Sequence, residues 1–116
     1  MPLPRDAMLL RIFIGENDRS REGRPLHEAI VFKAREVHLA GATVLRGPMG
    51  FGHNSRLHTA KFLRLSEDLP LIIEIVDRSE KVDAFLQEID HMITDGLVTV
   101  ERVEVRAYRA NRNSEQ

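Results

Sequence analysis

Hydrophobic residues recur along this chain with two periods, and the switches between the periods mark its elements. Met8, Leu10, Ile12 and Ile14 alternate with Leu9, Arg11 and Phe13, which predicts a strand over 8–14 ended by Gly15. Glu16 to Gly23 follows as a highly charged connector. The period then lengthens. Leu26, Ala29, Ile30, Ala34, Val37 and Ala40 share one helical stripe, with Pro25 suited to the first turn and Gly41 to the position just past the end. Ala42 to Arg46 is a short second strand. Leu57 to Leu65 alternates only loosely and fits either a strand or part of a loop. Leu69 to Val76 is a strong strand, with Pro70 tolerated near its start. Asp77-Arg78-Ser79-Glu80 has capping-box spacing, and Val82, Phe85, Leu86, Ile89 and Ile93 continue as a helical stripe that Asp95-Gly96 closes. Leu97 to Tyr108 is the last strand. Its apolar phase slips near Glu101-Arg102, which suggests a bulge or bend there.

The order β-α-β-β-α-β, with two amphipathic helices to bury, predicts an α+β fold: a ferredoxin-like two-layer sandwich on an antiparallel four-stranded sheet. Its central strands should be the first and third, and those are the most apolar runs. Both are apolar on their second face too, through Leu9, Phe13, Ile72 and Val76. Two helices cover only one sheet face, so the other face implies a homo-oligomer packed sheet to sheet. The domain is expected over residues 8–109, between an extension at 1–7 and a polar tail at 110–116.

Composition narrows the function. The chain has 116 residues, 42% hydrophobic and 30% charged, with a formal charge of −1 and no cysteine. One domain fits that length. The near-neutral charge gives no electrostatic reason to expect nucleic-acid binding. No window approaches a membrane-spanning helix, and the first residues lack a signal-peptide core. Cytoplasmic location and no membrane insertion are the expectations. Without cysteine there is no disulfide framework and no thiolate metal site.

Candidate chemistry gathers after the second strand. Gly47, Pro48, Gly50 and Gly52 cannot sit in a strand or helix interior, and the irregular run reaches about Asp68. Glycines let backbone N–H groups approach a phosphate, with Arg46, Arg56 or Lys61 as counter-charges. A solvated turn fits the same residues. Neither a Walker nor a Rossmann spacing is present. His53 and His58 could ligate a divalent metal, or stand as unrelated loop residues. Arg102, Arg106 and Arg109 lie near the chain end, where they could reach an anion or protect a sheet edge. No acid/base pair with supporting context stands out, so catalysis is not expected.

Several motifs in order carry a resemblance: Gly41-Ala42-Thr43-Val44-Leu45-Arg46-Gly47, Gly50-Phe51-Gly52, Ser55-Arg56-Leu57-His58-Thr59, Leu65-Ser66-Glu67-Asp68-Leu69-Pro70 and Ile73-Glu74-Ile75-Val76-Asp77. From about Met8 to Tyr108 the chain resembles the domain of unknown function 190 family, which is similar to the PII-like signalling proteins. That resemblance implies a PII-like homotrimer whose long loop touches a partner such as a membrane transporter or channel. It also implies an effector, with an adenine nucleotide as first candidate, bound between subunits. Carried over by position, Arg46 and Gly47 stand at the loop base, Gly50, Gly52, Arg56 and Lys61 in the loop, and Arg106 and Arg109 on the C-terminal segment. The chain departs from the PII pattern between the second helix and last strand, where Thr94-Asp95-Gly96 replaces a longer lysine-containing phosphate loop. A CutA-like trimer binding a divalent metal through His53 and His58 is the alternative.

Overall fold

A computed structural model of the chain describes residues 3–52, 58–59 and 68–111. Its elements are β1 (Asp6–Gly15), α1 (Leu26–Glu36), β2 (Thr43–Arg46), β3 (Met49–Gly50), β4 (His58–Thr59), β5 (Pro70–Asp77), α2 (Ser79–Ile89) and β6 (Leu97–Glu104), with a 3₁₀ turn at Asp90–Met92. Four strands form one antiparallel sheet in the order β2-β5-β1-β6. The two most apolar runs therefore take the centre, as their hydrophobicity requires. Both helices lie on one face, α2 over β1 and β5 and α1 over β5. Leu10, Ile12, Ile73 and Ile75 project into that layer and meet Ile30, Val82, Phe85 and Ile89, all fully buried. The loosely alternating segment contributes β4, which pairs with β3 as a separate two-stranded ribbon.

Three local readings are corrected. The first helix stops at Glu36, short of Gly41. His38 takes a left-handed conformation (φ 64°), its N–H bonds to Arg35 O, and the Leu39 N–H reaches back to Ala34 O. This is the Schellman closure that glycine usually provides, here made by a histidine. The Asp77 capping box does not form: Arg78 is the N-cap of α2, with no side-chain cap. Asp77 is buried instead and accepts the Arg78 N–H at 2.7 Å and the Ala40 N–H at 2.8 Å. It clips the α1–β2 connection to the end of β5. The last strand has no bulge. Its pairing with β1 runs unbroken from Asp6↔Glu104 to Phe13↔Leu97, and it ends at Glu104 rather than Tyr108. The apolar phase slips because this edge strand is exposed on both faces, so strict alternation is not enforced. Beyond it Tyr108 Oη donates to Ala40 O at 2.6 Å.

The second sheet face has no cover within the described residues. Leu45, Ile72, Phe13 and Leu97 are consecutive cross-strand partners, forming an apolar row across all four strands. Beside it Arg11 bonds Glu74 at 2.9 Å and Glu101 at 2.6 Å. The hydrogen bond to Glu74, then that to Glu101, holds the guanidinium in its charged form beyond its ordinary range. Leu9 and Val76 pair on the far side of this ionic row.

Candidate functional site

The crossover from β2 to β5 leaves and re-enters the sheet at one rim, where Gly15, Arg46, Pro70 and Leu97 stand together in the ladder. The glycines at its start have a packing reason. A Cβ on Gly47 would lie 2.9 Å from the Pro70 ring, and one on Gly50 3.0 Å from it. The Gly47 N–H also bonds Pro70 O at 2.8 Å. Absent side chains thus let the departing strand lie against the returning one. Gly52 faces open space.

Both ends of the crossover are fastened to the turn that follows β1. At the front, Arg46 pairs with Glu16 at 2.5 Å. At the rear, the Asp68 carboxylate accepts the Asn17 N–H at 2.7 Å, and the Glu16 N–H bonds Leu69 O at 2.8 Å. Asp18 closes the turn by accepting the Gly15 N–H at 2.9 Å. A Cβ on Gly15 would meet the Asp68 carboxylate at 2.5 Å, so a side chain there would push Asp68 off its bond to Asn17. Burial raises the Asp18 pKa above its ordinary value, and the nearby Asp68 and Asp95 carboxylates add to the rise against the Gly15 hydrogen bond. A raised carboxyl pKa means that folding favours the proton. The turn therefore loses stability as pH climbs from the ordinary aspartate value through the raised one.

The candidate residues separate into groups. Arg46, Gly47 and Gly50 stand at the rim beside this turn. Arg106 and Arg109 follow the far end of β6, so the sheet's length separates them from Arg46 within one chain. Arg106 lies 3.7 Å from Glu104. The Thr94-Asp95-Gly96 connection does reach the Arg46 rim, but β5 and β1 lie between it and β2. His53, Arg56 and Lys61 fall outside the described residues. His58 belongs to β4. Among the described residues no group of three or more His, Asp or Glu side chains could hold a metal ion. No helix among them is long and apolar enough to cross a membrane.

Hydropathy and spacing alone missed Glu16 and Asp68, which form the clasp. Their signal was weak: each is one carboxylate among many, and each meets its partner only through the fold.

The four-stranded sheet with two helices on one face is the fold of PII-like proteins. Two solved structures from Thiomonas intermedia K12 have this fold. CPII bound to ADP and bicarbonate matches with a TM-score of 0.63 and 17% identity, over 86% of this chain and 88% of that one. CPII described as a nitrogen regulatory PII-like protein, bound to ADP, AMP and bicarbonate, matches with a TM-score of 0.63 and 15% identity, over 86% and 88%. Among sequence relatives, a UPF0166 protein of Aquifex aeolicus is 42% identical over 97 residues, covering 84% of this chain and 90% of its own. The UPF0166 protein MJ1524 of Methanocaldococcus jannaschii is 33% identical, covering 81% and 86%. The chain belongs to the DUF190 family, described as Uncharacterized ACR, COG1993, whose profile matches residues 7–105.

Proposed function

We propose that this protein is a regulatory, non-catalytic PII-like subunit that works as a cytoplasmic homotrimer. A small anionic effector, with an adenine nucleotide as first candidate, binds at the Arg46 rim against a neighbouring subunit. The observation that carries this reading is the double fastening of the crossover to the Gly15–Asp18 turn, with Arg46 as one of the fasteners. An effector phosphate that takes Arg46 competes directly with Glu16. Releasing Glu16 removes the side-chain fastener at the front of the crossover, leaving the Gly47 N–H bond to Pro70 O there, while Asp68 still holds its rear. The loop is thereby biased between two arrangements by a ligand that prefers one of them. ADP in both CPII structures supports the nucleotide choice. A neighbouring copy also brings Arg106 and Arg109, or the Thr94–Gly96 connection, within reach of Arg46. The loop's target is taken to be a membrane transporter or channel.

Calorimetry with ADP, ATP and AMP tests this directly. The expected result is saturable binding that Arg46→Ala abolishes and Glu16→Gln strengthens, because the competing carboxylate is gone. Binding unchanged in Arg46→Ala, or none with any of the three, overturns the rim site.

A further inference from the structure

The charged connector after β1 is a built element. The Arg19–Pro25 bridge, Ser20 N–H to Arg24 O at 2.8 Å, Gly23 N–H to Ser20 O at 3.0 Å and Leu26 N–H to Asp18 O at 2.8 Å fold residues 18–26 into a small hairpin. This hairpin walls a groove of about 480 Å³ whose other sides are α1 and the 3₁₀ turn after α2. That volume suits a small ligand. On the α1 wall Phe32 is 48% exposed, beside Arg19, Arg21 and Arg24. The Arg24 guanidinium lies over its ring, 5.4 Å from the centroid. Arg19 and Arg21 also line the groove, and among the described residues neither has a carboxylate partner. The facing carboxylates Glu36 and Glu88 are engaged by Lys33 at 3.3 and 3.8 Å. Glu22, at the hairpin tip, is the remaining acid. The groove thus offers an aromatic surface beside two guanidiniums that no carboxylate pairs with among the described residues, with Glu22 the one acid left in the lining.

We propose that this groove is a second ligand site, for a small aromatic anion whose ring packs on Phe32 and Arg24 while its phosphate or carboxylate is held by Arg19 and Arg21. Guanidinium groups suit this pairing because they bind oxyanions in a planar fork and stack on rings. The site is separate from the Arg46 rim and does not depend on it.

Phenyl phosphate is the probe, titrated into the ¹⁵N-labelled full-length protein with inorganic phosphate as control. Amide shifts should concentrate on residues 19–24 and 32 and saturate. Phe32→Ala should weaken binding about tenfold, and Arg19→Ala with Arg21→Ala at least as much, since ring and anion contacts contribute comparably. Inorganic phosphate should bind about tenfold more weakly for want of the ring. Arg46→Ala should leave the shifts at residues 19–24 and 32, and their midpoint, unchanged. Phe32 is half exposed, so its variant should fold. If Phe32→Ala does not fold, Phe32→Leu provides the same reading, since it keeps the bulk and removes the aromatic ring. Equal affinity for the two phosphates, or no shift at residues 19–24, overturns the proposal. Shifts confined to residues 46–50 also overturn it, and assign the probe to the rim instead.

Discussion

The two faces of the sheet carry nearly the same amount of apolar side chain and yet are finished differently. Over the two central strands the helix-covered face is closed by the chain itself. There Leu10, Ile12, Ile73 and Ile75 are at most 1% exposed, and the polar group at its end, Asp77, has its hydrogen bonds met. The open face has the Leu45-Ile72-Phe13-Leu97 row, with Leu45 44% and Leu97 56% exposed, and an ionic row through Arg11 next to it. One face specifies the fold through packing. The other retains apolar surface that folding leaves wet, next to charges paired through Arg11. Similar hydrophobicity thus ends in two different environments, one packed and one exposed.

The difference is sharpest at Phe85, the largest fully buried side chain of the covered face. Phe85→Ala should cost about 3–5 kcal/mol of unfolding free energy in a denaturant titration, because both transfer and cavity costs apply. A loss under about 1 kcal/mol would mean that this layer is loosely packed and the comparison false. Asp77→Ala comes next. It leaves the Ala40 and Arg78 N–H groups without their acceptor, and should cost about 1–3 kcal/mol. Asp77→Asn should restore part of this, since one side-chain oxygen remains to accept.

How much of this was legible follows from where each signal resides. The faces of β1 and β5 could be read because alternation is local and both strands are central. The bare face followed from Phe13 and Ile72 by the same count. The end of α1 could not be read, because His38 occupies a left-handed position that composition assigns to glycine. Asp77 looked like a cap because capping is a local pattern, whereas its partner Ala40 lies 37 residues away. The rim clasp was hidden for the same reason: Asp68 reaches Asn17 across 51 positions. The hairpin at 18–26 read as a mere charged connector, since hydropathy carries no trace of the Ser20–Arg24 hydrogen bonding that folds it. Gly47 stood out at once. Its contact with Pro70, which explains it, needed the strand pairing.

The ionic row offers a smaller test. Arg11→Gln leaves Glu74 and Glu101 facing each other without their shared cation. On a solvated face the cost should be below that of Asp77→Ala, and should fade as salt is raised to about 1 M, where screening reaches about 3 Å. A loss as large as that of Phe85→Ala, insensitive to salt, would place the row inside an assembled interface.

The smallest expected effect on the single chain's fold comes from Leu97→Glu, and it separates the two faces most cleanly. Leu97 is 56% exposed at the end of the apolar row, so the substitution removes almost no packing within the chain. The intrinsic change in stability should lie within about 0.5 kcal/mol. If the row is the contact between copies, a glutamate there adds a desolvated charge at each interface. Light scattering should then report three chains for the unsubstituted protein and one for the variant. Circular dichroism should show the same secondary structure in both, and the variant's Tm should no longer depend on protein concentration. An unsubstituted protein that is already a monomer would refute the oligomer. A variant that keeps its mass would place the contact between copies elsewhere, and the open face would need a different partner.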